Sequence, residues 1–104
     1  MSELNLITCI VQRGKADKVV KDAIKAGAEG ATVFYARGTG VRQKLGFWGK
    51  IITPEKEVIF IVTRKNQTDA VFETLIKSGG LDKPGRGFAF VHTIDQAVGF
   101  LTKG

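Results

Sequence analysis

Apolar and polar positions alternate along this chain with two different periods. Leu4 to Gln12 is dense in Leu, Ile, Val and Thr and reads as a strand. Gly14 breaks it. From Ala16 to Ala26 the apolar residues Ala16, Val19, Val20, Ala23 and Ile24 recur at helical spacing. Asp17 near its start and Lys21 and Lys25 later suit the helix dipole, and Gly27 closes it. Gly30 to Arg37 reads as a second strand and Glu57 to Arg64 as a third, with a long loop from about Gly38 to Lys56 between them. A second helix, capped by Asn66 or Thr68, carries the stripe Val71, Phe72, Leu75 and Ile76 and ends at Gly79-Gly80. Phe88 to Thr93 is a fourth strand. The tail from Gln96 to Lys103 is short, an extra strand or a turn.

The order β-α-β, loop, β-α-β predicts a ferredoxin-like α+β fold: one antiparallel sheet with two helices on one face. With helices on one face only, the strands should alternate apolar with polar. They do not. Leu4, Leu6 and Ile10 lie on one face of the first strand and Ile7, Cys9 and Val11 on the other. Val58 to Val62 is apolar on both faces. Something must cover the second face, and the tail is too short. A homo-oligomer joined sheet face to sheet face follows.

At 104 residues the chain fits one domain, taken here as residues 1–104. It has no apolar run long enough for a membrane span. Its N-terminus lacks the pattern of a signal peptide, and the single cysteine, Cys9, has no partner within the chain. These features point to the cytoplasm. The net charge of +6 favours an anionic partner without choosing among nucleotides, nucleic acid, acidic lipid and acidic protein.

The charge is uneven. Arg37, Arg42, Lys44 and Lys50 occur between Arg37 and Pro54 without one acid. This stretch opens with Arg37-Gly38-Thr39-Gly40-Val41-Arg42-Gln43-Lys44. A second basic glycine loop, Gly79-Gly80-Leu81-Asp82-Lys83-Pro84-Gly85-Arg86-Gly87, precedes the fourth strand. Concave runs of N–H groups with arginine and lysine nearby bind phosphate. Either loop alone is explained equally well by tight turns. Two in equivalent places point to a nucleotide or another phosphorylated ligand. Phe47-Trp48, set between glycines in the long loop, is either a binding anchor or folded back on the body.

Arg86-Gly87-Phe88-Ala89-Phe90-Val91-His92-Thr93 matches the RNP1 motif of RNA-recognition domains except at Thr93. In those domains the motif lies on the third strand, whereas here it falls on the fourth. A buried second sheet face would also remove Phe88 and Phe90 from base stacking. Nucleic acid is therefore the rival partner and not the expected one. His92 is the only histidine, and the acids show no spacing for acid–base work, so no enzyme and no metal site is expected.

Taken together, these residues resemble the PII signal-transduction (nitrogen regulatory) proteins, and more closely a PII-like branch with a short T-loop. Gly38-x-Gly40 followed by Arg42-Gln43-Lys44 is similar to the start of the T-loop, with Val41 as an insertion. Gly30-x-Thr32 is similar to the adenine-side strand. Lys83 to Gly87, leading into Phe88 to Val91, is similar to the B-loop, about residues 79–87, and its strand. The resemblance implies a homotrimer binding adenine nucleotide in clefts between subunits. Its T-loop, about residues 38–56, would change conformation and dock on a membrane transporter or metabolic enzyme. By the same resemblance Gly30, Thr32, Gly38, Thr39, Gly40, Arg42, Gln43, Gly85, Arg86, Gly87 and Phe88 contact nucleotide, with Gln43 near the 2-oxoglutarate position. Phe47, Trp48 and Lys50 would meet the partner. A rival within the same fold is a trimeric interaction scaffold that binds no nucleotide.

There are departures from the family pattern. The T-loop has no tyrosine to modify. Phe88 replaces the basic residue after the B-loop glycines. The tail after Ile94 has no arginine. Glu55 and Glu57 stand where PII proteins tend to carry lysines beside the ligand. Fewer cations imply that ADP or AMP competes well with ATP, with no 2-oxoglutarate sensing through Mg-ATP. The need for magnesium is open.

Overall fold

In the computed structural model, residues 3–37 and 55–99 are described. Strand β1 (Leu4–Gln12) is followed by helix α1 (Ala16–Lys25), strands β2 (Ala31–Arg37) and β3 (Glu55–Arg64), a 3-10 turn (Lys65–Gln67), helix α2 (Thr68–Gly79) and strand β4 (Gly87–Ile94). The four strands form one antiparallel sheet in the order β2-β3-β1-β4. This is the expected ferredoxin-like α+β architecture. β3 starts at Glu55, two residues earlier than the apolar pattern suggests, because Glu55 still pairs with Arg37 of β2.

The period-2 rule sorts the strand residues into two faces. Ile7, Cys9 and Val11 of β1 and Ile59 and Ile61 of β3 are fully or almost fully buried, under Val19 and Ala23 of α1 and Val71 and Leu75 of α2. Burial pushes the Cys9 thiol up to about 11, so it stays protonated and behaves as a small apolar side chain. At the far end of this core the polar atoms are satisfied. Thr68 Oγ1 donates to the Arg64 carbonyl at 3.1 Å. Its lone pairs accept from Asn5 Nδ2 at 2.8 Å and, since its one proton is spent, from Thr63 Oγ1 at 2.7 Å. Neither Asn66 nor Thr68 caps α2: the residue before the helix is Gln67, and it makes no side-chain cap. The Thr68 hydroxyl is drawn instead to the strand ends beneath it.

The other face carries Leu6, Thr8 and Ile10, Val58 and Phe60, Phe34, and Phe88 and Phe90. Phe34 and Phe60 meet edge to face at 5.1 Å, and Phe88 and Phe90 lie 5.4 Å apart. Phe60 stays 38% exposed and Phe88 62% exposed within one subunit. The two-sided strands thus leave an apolar sheet face that no element among the described residues covers. Residues 95–99 of the tail form no strand. No helix among the described residues is long and apolar enough to cross a membrane.

Candidate ligand-binding site

The second glycine loop is built tightly. Gly80 ends α2 in the left-handed conformation at φ +63°, and Leu81 N donates to the Ile76 carbonyl at 2.9 Å. Lys83 N donates to the Gly80 carbonyl at 3.0 Å, which rounds the next turn. Gln12, the last residue of β1, reaches across and donates from Nε2 to the Gly85 carbonyl at 2.9 Å. Gly85 at φ +79° and Gly87 at φ +153° use conformations open to glycine. Gly87 is also packed against the Ile10 carbonyl and Leu81, so any Cβ there would collide. Phe88 opens β4 on the uncovered face, opposite Ile10. The Arg86 side chain turns the other way: a Cβ built on Gly80 would stand 3.8 Å from its Nη1.

The root of the long loop lies at the same end of the sheet. Arg37 pairs with Glu55, and Lys56 pairs with both Ala36 and Gln12. Arg13 binds Glu55 twice, Nη1 to Oε1 at 2.8 Å and backbone N to carbonyl at 3.3 Å. Its guanidinium lies 5.7 Å from the Tyr35 ring centre. The Glu55 carboxylate holds that guanidinium more firmly protonated than usual. These groups and Arg37 and Lys56 border a hollow of about 330 Å³.

Glu57 is engaged at the start of α1. It faces the helices, and its Oε1 accepts from Gly14 N at 3.0 Å and from Ala16 N at 2.9 Å. It thereby caps α1, whose own N-cap residue, Lys15, makes no side-chain bond. Replacing Glu57 by Ala leaves two donors at the start of α1 without their acceptor and should cost about 2–3 kcal/mol. Glu57→Gln keeps one acceptor oxygen and should cost about half as much. The urea midpoint measures both; equal, near-zero shifts would contradict the capping role. An acid directly before the apolar run Val58 to Val62 was the available signal, but nothing local says which backbone groups it meets.

Gly30 and Thr32 lie elsewhere. They sit at the β2 edge and border an open-face hollow of about 470 Å³ with Leu6, Phe60, Val62 and Gly99. Three strand spacings, about 14 Å, separate β2 from β4. One subunit therefore does not bring Gly30 and Thr32 against Gly85, Arg86 and Gly87. Gly38, Thr39, Gly40, Arg42 and Gln43 fall outside the described residues, as do Phe47, Trp48 and Lys50. Among the described residues there is no cluster of three or more His, Cys, Asp or Glu that could hold a metal. Sequence reasoning missed Gln12 and Arg13, because their partners lie 73 and 42 residues away.

An open-faced ferredoxin-like sandwich, with the second glycine loop and the strand ends Arg37 and Glu55 at one end of the sheet, is the architecture of the described residues. The family model for nitrogen regulatory protein P-II matches residues 4–103. The chain belongs to the P-II family, whose members are non-enzymatic regulators that form trimers and typically bind adenine nucleotides. Among solved structures it is similar to Arabidopsis thaliana PII bound to citrate. The identity is 26% and the TM-score 0.68, over 89% of this chain and 78% of that one. No curated protein matches the sequence.

Proposed function

We propose that this chain is a homotrimeric cytoplasmic regulator that binds ADP, AMP or ATP in clefts between subunits. It passes the ligand state through loop 38–56 to a transporter or metabolic enzyme. The observation that carries this reading is the position of Gln12. It lies beside Lys56, at the root of the long loop, and its side chain holds Gly85 of the B-loop at 2.9 Å. A ligand seated on the B-loop backbone therefore acts two residues of sheet away from the signalling loop.

Family trimers and the uncovered face support the assembly. In the proposed assembly the β2 edge of one copy would face the B-loop of another. Gly30 and Thr32 would then sit on the adenine side. Gly85, Arg86 and Gly87 would offer backbone N–H groups to phosphates, with Phe88 against the base or sugar. Gly38, Thr39, Gly40, Arg42 and Gln43 would close the cleft, leaving Phe47, Trp48 and Lys50 for the partner.

Calorimetric titration with AMP, ADP and ATP, with and without magnesium and 2-oxoglutarate, tests this. The expected result is about one nucleotide per subunit, with ADP or AMP within tenfold of ATP. Absence of saturable binding would overturn the nucleotide reading. ATP bound far more tightly, and only with 2-oxoglutarate, would overturn the ranking.

One observation favours a second reading. Phe88 and Phe90 are exposed on the open face of a single subunit, where RNA bases could stack. That reading requires the face to stay uncovered in solution, so a stable trimer excludes it.

A further inference from the structure

The start of α1 meets the end of α2 in a cleft of about 290 Å³, bordered by Lys15, Lys18, Lys77, Ser78, Gly80 and Arg86. Four cations thus gather around one small hollow. Two of the lining residues bind Asp22, which accepts from Ser78 Oγ at 2.6 Å and from Lys18 Nζ at 3.2 Å. These two bonds hold its carboxyl below the usual range, so it stays ionised and offsets Lys18. Among the described residues no carboxylate lies within 4 Å of Lys15, Lys77 or Arg86. Like charges brought together without counter-charge repel, and a bound anion relieves that repulsion.

The walls of the cleft are set by regular structure. Lys15 is the N-cap residue of α1 and Lys18 stands on its first turn. Lys77 and Ser78 stand on the last turn of α2. Arg86 is carried by the loop that Gln12 pins at Gly85. The cleft lies on the helix side of the sheet. The proposed nucleotide residues Thr32 and Phe88 project from the uncovered side; Gln12, whose side chain holds Gly85, also borders the cleft.

We propose that this cleft is a second anion site, separate from the nucleotide cleft, whose ligand is a compact diphosphate group. Three uncompensated cations match its charge. Arginine's planar fork and the lysine ammonium groups suit tetrahedral phosphate oxygens. The volume, at the lower limit of small-ligand cavities, suits two linked phosphates and not a whole dinucleotide. A free diphosphate and the terminal diphosphate of a nucleotide share this chemistry, and the test separates them.

Pyrophosphate is titrated calorimetrically into the full chain at low salt, alone and after saturation with ADP, and into a Lys15→Gln, Lys77→Gln variant. Both lysines are exposed, and circular dichroism verifies the variant's fold. The expected result is saturable pyrophosphate binding that persists with ADP bound and weakens at least tenfold in the variant, while ADP affinity stays within twofold. No pyrophosphate binding, or binding unaltered by the two substitutions, overturns the site. Complete blockage by ADP, or parallel loss of ADP affinity, assigns the diphosphate to the nucleotide cleft and equally overturns a separate site. The outcome for pyrophosphate is read independently of whether ADP binds at all.

Discussion

Phe60→Asp is expected to turn a trimeric protein into monomers. Phe60 lies in the middle of the uncovered face, on β3 between β2 and β1, edge to face with Phe34 at 5.1 Å. Within one subunit it is already 38% exposed, so a carboxylate there keeps access to water and the monomer should still fold. In a sheet-to-sheet assembly the same carboxylate enters an apolar interface once per subunit. Burying it without a partner costs at least several kcal/mol per site, and a trimer meets that cost three times. Sedimentation velocity should show the wild-type chain at the mass of three copies and the variant at one. Phe34→Asp should behave alike, which guards against a local effect at position 60. Nucleotide binding should fall with assembly, because the proposed cleft draws on two subunits. A monomeric wild-type protein, or a variant that remains trimeric, would contradict the role assigned to this face.

Gly87→Ala is expected to be the most damaging single methyl group in the described structure. An added Cβ would run into the Ile10 carbonyl oxygen and stand 2.8 Å from Leu81 Cδ2. The first obstacle is the backbone of β1, itself held in the β1–β4 ladder, so it has little room to retreat. The backbone at φ +153° adds strain for any residue with a side chain. Steric and conformational terms together suggest a loss of about 2–4 kcal/mol. For a domain of this size that lowers Tm by roughly 10–25 °C. β4 would have to pull away from β1 at its first rung, moving Gly85 from the reach of Gln12. Ligand binding at the loop should then be lost even where the rest of the fold survives. Gly30→Ala is the stability control, since a Cβ there meets nothing within 4 Å. Equal thermal shifts for the two substitutions would refute the packing argument.

The elements and the uncovered face were legible along the chain because period and alternation are local properties. Ile7, Cys9 and Val11 announce one buried face of β1. Leu4, Leu6 and Ile10 announce a second that two helices cannot reach. The stripe Val71, Leu75 likewise declares α2 without reference to its neighbours. The glycine loops could be identified from residue types alone, and so could their likeness to the P-II pattern.

What each polar side chain does was decided by tertiary structure. Glu57 reads from the sequence as a ligand-side acid, yet it faces the core and caps α1 across 41 residues. Thr68 reads as a helix cap, yet its hydroxyl closes a network with Asn5 and Thr63. Arg86 follows the phosphate-loop pattern, yet its side chain turns to the helix side beside Lys15 and Lys77. In each case the partner is a group that only the fold delivers. Hydrogen bonds depend on placement to a few tenths of an ångström, and hydrophobic period carries no such information. By itself, then, the sequence determined which segments are strands and helices and that one sheet face seeks another copy, because burial follows side-chain chemistry position by position. The sheet order, which sets Thr32 and Phe88 on opposite edges and brings Lys56 and Gly85 to Gln12, was decided only in three dimensions, because strand pairing joins residues far apart in the chain.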